Sequence, residues 1–305
     1  MSPLQQKQPI LKKITKGLIV GSVITGSTFF HGPPVLALGL TKLFKKSQKV
    51  DETNINITNS WLSINNWLID HILPNTQWDI TVDDDLDLNM QGRYLMTCNH
   101  QSWVDTTVNQ YFGLTRMPLT RFFTKWELIF IPFVGQAFKI LGFPMMKRHS
   151  KAQIAKNPEL KFRDMEEARK SCEQLLSQPF TLLNYLEGTR FTLEKHQQQN
   201  SPYTHLLKPK AGGLALALDI LGDKIDALMD MTIVYPNGAP GYGEFWLGDV
   251  ARIAVNMRKI NIPDWVLGGN YEDDAEYRER FQAWVDELWT EKDQLISAMK
   301  NKYQL

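Results

Sequence analysis

The chain has 305 residues, 43% of them hydrophobic and 22% charged, which suits one large packed domain with or without an appendage and excludes a disordered protein. Its net charge of +1 conceals an asymmetry: residues 1–50 hold eight lysines and no Asp or Glu, so the other 255 residues carry a net −7. That distribution argues against a uniformly basic nucleic-acid binder and points to a local anionic partner such as a lipid surface.

From Gly17 to Leu40 no residue is charged, with Lys12, Lys13 and Lys16 before the stretch and Lys42, Lys45, Lys46 and Lys49 after it. As one helix these 24 residues reach about 36 Å, enough to cross a bilayer core. His31-Gly32-Pro33-Pro34 interrupts the run, because paired prolines remove backbone donors and disfavour helix just before them. Positive charge on both flanks also fits a span poorly. The expectation is two short helices joined at Gly32-Pro33-Pro34, a membrane-associated hairpin dipping into one leaflet. A kinked span is one alternative, and a cleaved signal peptide ending near Ala37 and Gly39 is another. Next, Trp61, Ile64, Trp67, Leu68 and Ile72 recur with helical spacing and suit either the headgroup region or a packed core.

Beyond Gly92, short apolar runs alternate with helical stretches. Residues 93–99, 180–186 and 231–236 read as buried strands, each ending in polar or turn residues. Helical patterns cover Glu159–Ser177 and 213–221, and a last amphipathic helix places Phe281, Trp284, Val285, Leu288, Trp289, Leu295, Ile296 and Met299 on one face. The apolar stretch 128–146 is broken by Pro132, Gly135, Gly142 and Pro144 and reads as helix, turn and strand, with a second membrane span as the alternative. The fold class is therefore α/β, a largely parallel mixed sheet flanked by helices, with sites at the carboxyl ends of strands. The expected division is a membrane-anchoring segment over 1–50, an amphipathic helix and linker over 51–92, a catalytic core over 93–250 and a C-terminal extension over 251–305.

Two strand ends carry candidate chemistry. After the first comes "NHQSWVD", with His100 and Asp105 five residues apart. On one continuous helix that spacing would separate them by about 140°. They meet if His100 lies in the loop and Ser102 caps the next helix, leaving Asp105 to accept from one imidazole nitrogen while the other serves as base. Alternatively, Ser102 and Asp105 form a capping box that serves the helix alone. After the second strand comes "EGTR". Glu187 can accept hydrogen bonds from a hydroxylated substrate or hold an arginine, Gly188 allows close approach with Thr189 beside it, and Arg190 offers a planar fork for phosphate. Lys147 and Arg148 follow another apolar run, and Lys208 and Lys210 precede glycines at a helix start, a phosphate-facing turn. His31, His71, His149, His196 and His205 show no ligand spacing, Cys98 and Cys172 read as reduced thiols, and no P-loop, Gly-x-Ser-x-Gly or His-Glu-x-x-His motif occurs.

Taken in order, "NHQSWVD", "KWEL", "GFPMMKR", "EGTR" and "VYP" resemble the four-block pattern of glycerophospholipid acyltransferases, typified by the 1-acylglycerol-3-phosphate acyltransferases, over roughly residues 95–240. "EGTRFTLEKH" followed by "KPKAGG" is similar to a branch shared by some eukaryotic enzymes and bacterial proteins of the YihG type, including lysocardiolipin-type enzymes. In that branch, as here, a residue other than proline, Leu186, precedes the glutamate. The resemblance implies acyl transfer from acyl-CoA or acyl carrier protein to a lysophospholipid hydroxyl, with no cofactor, metal or nucleic acid. It implies His100 as base and Asp105 as its partner. Lys125 would be the oxyanion donor, with a backbone N–H as the alternative, and Arg190, Arg148 and Lys147 would be the phosphate ligands. Lipid substrates imply a site at the membrane, on the cytoplasmic face of a bacterial inner membrane. A hydrolase or thioesterase using the same dyad with water, and a non-catalytic lipid-binding protein, are the rival readings.

Overall fold

The computed structural model describes residues 9–42, 44, 47–147, 156–157 and 159–303. Eight strands are found among them: β1 (Gln77–Val82), β2 (Arg93–Cys98), β3 (Thr120–Phe122), β4 (Thr124–Lys125), β5 (Met145–Met146), β6 (Phe180–Tyr185), β7 (Ala227–Val234) and β8 (Arg252–Ile260). The three expected strands become β2, β6 and β7 of a six-stranded sheet ordered β1-β8-β7-β2-β6-β3, and β4 pairs β5 in a separate ribbon. All pairings in the main sheet are parallel except β7 with β8. β7 is buried at every position and β2 at all but its first, as strands covered on both faces require.

The sheet extends past the expected 93–250 core at both ends. β1 and β8 pair in register from Gln77 opposite Arg252 to Val82 opposite Met257, so the sequence before 93 and after 250 completes the same layer.

Helices cover both faces. On one side, α2 (Gln48–Ile72) and α3 (Val104–Gly113) meet Tyr94, Met96 and Cys98 through Leu68, Ile69, Val104, Val108 and Phe112. On the other, α7 (Gly212–Leu221) and α9 (Ala275–Tyr303) pack on Leu95 and Leu182 through Leu214, Leu218, Phe281, Val285 and Trp289. Shorter helices are α4 (Val134–Ile140), α5 (Glu159–Leu175), α6 (Leu193–Gln198) and α8 (Tyr242–Trp246). The apolar stretch 128–146 forms the end of a 3₁₀ turn, α4 and β5, with no span-length helix.

On the buried face of α9, Lys292 is wholly enclosed among the apolar residues. Its Nζ lies 2.7 Å from Asp230 Oδ1 and donates to Met231 O at 2.7 Å. Arg258 of β8 meets the other Asp230 oxygen at 3.1 Å, and Thr97 of β2 donates to the first at 2.6 Å. A buried charge needs this complete a set of partners. Burial alone would raise the Asp230 carboxyl, but Lys292 and Arg258 outweigh it and hold the group below its ordinary value.

The N-terminal expectation of two short helices is corrected. α1 (Ile10–Thr41) runs as one 32-residue helix straight through Pro33 and Pro34. A hairpin does form, but between α1 and α2. Interior prolines cost roughly 3 kcal/mol or more each, and packing around the break offsets that cost. Val35 is fully buried, His31 Nδ1 bonds Ser27 O at 3.0 Å, and its Nε2 lies 3.3 Å from Ser60 Oγ on α2. Gly32 lies flush against Phe133, where an added Cβ would come within 2.7 Å of that residue's Cβ. At its two ends α1 is tied to the body by Lys13 to Asp249 at 2.7 Å and by Lys42 to Ile140 O at 3.0 Å.

Candidate active site

β2, β6 and β7 run parallel or share a common edge, so their carboxyl ends converge: Cys98 lies opposite Tyr185 on one side and Met231 on the other. The residue after Cys98 ends the strand. Asn99 Nδ2 donates to Ile233 O, and its Oδ1 accepts from Ile233 N, both at 2.9 Å. The side chain thereby imitates the next ladder pair and frees the main chain of His100 to leave the sheet.

His100 then turns toward the start of α3. Its Nδ1 lies 2.9 Å from Asp105 Oδ2, with the imidazole 15% exposed and the carboxylate 1%. The same Oδ2 accepts from Gln101 N at 2.6 Å and Ser102 N at 2.9 Å, while Ser102 Oγ accepts from Val104 N at 3.0 Å. The two readings of this stretch therefore hold together: Asp105 caps the helix start and also orients the histidine. For Nδ1 to donate to a carboxylate it must carry the proton, which leaves the lone pair on Nε2.

The second turn closes against the first. Phe191 N donates to His100 O at 2.7 Å, and His100 N donates to Glu187 Oε1 at 2.7 Å. Glu187 is wholly buried, and its Oε2 accepts from Leu207 N at 2.9 Å. The expectation that Glu187 meets a substrate hydroxyl or an arginine is corrected: both oxygens face inward and clasp backbone amides. Burial pushes its carboxyl up to about 8, against the pull of those two N–H donors and of Lys292. Leu207 is held in turn by Trp289 of α9, whose Nε1 donates to Leu207 O at 3.0 Å. The C-terminal helix thus braces the candidate-site loops.

Gly188 has φ +66°, a left-handed conformation that suits glycine, and an added Cβ would lie 3.2 Å from Lys210 Nζ. Thr189 Oγ1 and Arg190 O both accept from Lys195 Nζ, at 2.8 and 3.0 Å. The Arg190 guanidinium lies 4.7 Å above the ring of Trp103, which is 53% exposed between His100 and Asp105 in the chain. Such stacking occupies the face of the fork and leaves its N–H edge available.

The fold therefore gathers His100, Asp105, Glu187, Gly188, Thr189, Arg190 and Lys210 at one edge of the sheet. Lys125 is exposed at the end of β4, Lys147 stands 5.3 Å over the Trp126 ring, and Lys208 is exposed with its N–H bonded to Gln199 Oε1. No hydrogen bond, ion pair or ring contact among the described residues ties those three lysines to the dyad. Arg148 lies outside the described residues.

The aromatic partners were not assigned from the sequence. Tyr185 stacks on His100 with ring centroids 4.1 Å apart, and Tyr235 donates to Asp105 Oδ1 at 2.6 Å. A tyrosine ending one buried strand and another directly following a second, each beside the motif loops, was the available signal.

A family model described as Acyltransferase matches residues 79–236. The chain belongs to the Acyltransferase family. This acyltransferase-family chain is 27% identical over 179 residues to mouse 1-acyl-sn-glycerol-3-phosphate acyltransferase delta, a match covering 55% of the chain and 42% of the mouse protein. It is also 27% identical over 136 residues to the 2-acyl-1-lysophosphatidylinositol acyltransferase of Saccharomyces cerevisiae, covering 39% and 32% respectively. The matches span less than half the length of these curated relatives. In fold it is similar to the crystal structure of the 1-acyl-sn-glycerophosphate acyltransferase PlsC from Thermotoga maritima, with a TM-score of 0.54, 16% identity, and coverage of 97% of this chain and 98% of that one.

Proposed function

We propose that the chain transfers a fatty acyl group from a thioester, acyl-CoA or acyl carrier protein, to the free hydroxyl of a lysophospholipid, with 1-acylglycerol-3-phosphate as the first acceptor to test. The His100–Asp105 pair at 2.9 Å, on the same strand edge as Arg190, carries this reading. His100 Nε2 takes the hydroxyl proton as the acceptor oxygen attacks the thioester carbonyl carbon. Asp105 keeps the proton on Nδ1 and stabilises the imidazolium. When the C–S bond breaks, the departing thiolate takes the proton from His100, so no acyl-enzyme and no external acid are needed.

Arg190, held over Trp103, binds the acceptor phosphate through its exposed edge, with Lys147 and Arg148 as further cations. Lys125 donates to the developing oxyanion. The relatives are named for different head groups, glycerol 3-phosphate in one and lysophosphatidylinositol in the other, which favours a second reading with another lysophospholipid as acceptor.

The chain works on a membrane surface, on the cytoplasmic face, with α1 lying along one leaflet. α1 is long and apolar enough to cross a bilayer. Fastening at Lys13 and at Lys42 nevertheless keeps its roughly 48 Å length against the body. Leu18, Phe29, Phe30 and Leu40 are exposed along it, and Phe130 is exposed just before α4. That arrangement supports a helix lying in the interface rather than spanning.

The test is His100→Ala assayed with labelled acyl-CoA and lysophosphatidic acid. Turnover should fall on the order of 10²–10⁴-fold; full activity in the folded variant would refute the mechanism.

A further inference from the structure

Among the described residues the Asp105 carboxylate accepts four hydrogen bonds, and just one of these comes from a side chain outside its own loop. Oδ2 takes His100 Nδ1 and the amides of Gln101 and Ser102, while Oδ1 takes the hydroxyl of Tyr235 at 2.6 Å. Tyr235 follows the last residue of β7, is 2% exposed, and reaches Asp105 from 130 residues away in the chain. We infer that Tyr235 is a positioning residue: its hydroxyl, acting through Asp105, holds His100 in the orientation and proton state that a general base needs. This rests on the acyl-transfer reading above.

The chemistry is direct. A carboxylate held on one oxygen alone can rotate about its Cβ–Cγ bond and swing Oδ2 out of line with the imidazole. The tyrosine bond fixes that rotation. It also draws negative charge toward Oδ1, which reduces the pull of Asp105 on the imidazolium and lets Nε2 shed its proton to the leaving thiolate. Several groups surround the pair: Cys98 on β2, Tyr185 at the end of β6, Glu187 beyond it, and Asp230 on β7 with Lys292 of α9 and Arg258 of β8. Burial pushes Cys98 and Tyr185 upward, so both stay neutral through the working range.

The experiment compares wild type with Tyr235→Phe and with 3-fluorotyrosine placed at 235, using acyl-CoA and lysophosphatidic acid across pH. Every variant keeps Glu187, Lys292 and Arg258, so a displaced limb between variants reports the tyrosine alone. Tyr235→Phe should lower kcat on the order of 10-fold, the loss expected of one charge-assisted hydrogen bond, and leave both KM values unchanged. The acidic limb of kcat/KM should move to higher pH, because an Asp105 without its donor favours the imidazolium. The fluorinated phenol is the stronger donor and should move that limb to lower pH. An acidic limb that stays put in both variants would overturn the inference, whether or not kcat falls, and so would a change confined to KM. His100→Ala serves as the control. If it retains turnover, the general-base reading itself fails; if it is inactive while Tyr235→Phe behaves as wild type, only the assignment of Tyr235 fails.

Discussion

Glu187 offers the sharpest test of how burial and hydrogen bonding compete beside His100. Its carboxyl is wholly enclosed and accepts from His100 N and Leu207 N, at 2.7 and 2.9 Å. Burial pushes it up to about 8 from an ordinary 4.5. Between those values the folded chain holds one proton more than the unfolded chain does. Stability is therefore greatest below the ordinary value and falls as pH rises toward 8, by at most about 1.4 kcal/mol per pH unit. Glu187→Gln removes the titration. It also turns an amide N–H₂ toward one of the two backbone donors, costing about 1–3 kcal/mol as a constant offset. Thermal unfolding in detergent micelles from pH 5 to 8 separates the two effects. The wild-type curve should fall toward the Glu187→Gln curve as pH rises, since only the former loses a proton. Parallel curves would refute the reasoning and mean that the two amide donors outweigh burial, with Glu187 ionised throughout.

Arg190→Lys keeps the charge but loses the planar fork, and should raise the acceptor KM about 10-fold while sparing that of the acyl donor. Trp103→Ala should act in the same direction but more weakly, about 2–5-fold, since an exposed cation–π contact contributes about 0.5–1 kcal/mol; initial-rate kinetics with each substrate varied check both. Replacing Phe29 and Phe30 by Asp on the exposed face of α1 should weaken binding to anionic vesicles in co-sedimentation at least 10-fold. Unchanged partitioning would mean that α1 is not the surface-lying anchor.

Much of the candidate site was legible because its elements are local. β2, β6 and β7 announce themselves as apolar runs, since strands buried on both faces have no polar positions to spare. The His100–Asp105 spacing and the Glu187–Arg190 turn follow two of those runs directly, and Ser102 marks where α3 begins. β1 and β8 escaped notice for the opposite reason: β1 keeps no fully buried residue, and the buried run of β8 is only Ile253 to Val255 before polar residues interrupt it, so neither carries a long continuous apolar signal.

Chain order alone thus determined the layer class, the candidate base and acid, and the basic, apolar start, each a matter of residues within a few positions of one another. Only the tertiary structure decided where Glu187 points, that Tyr235 completes the hold on Asp105, that Lys292 sits enclosed in the core, and that α1 continues through Pro33 and Pro34. Each of those outcomes depends on a partner far along the chain: Leu207 for Glu187, Asp105 for Tyr235, Asp230 for Lys292, Phe133 beside α1. A buried polar group goes where it finds a donor or acceptor, and a strained helix persists where packing offsets its lost bonds. Both conditions exist only once distant segments have met.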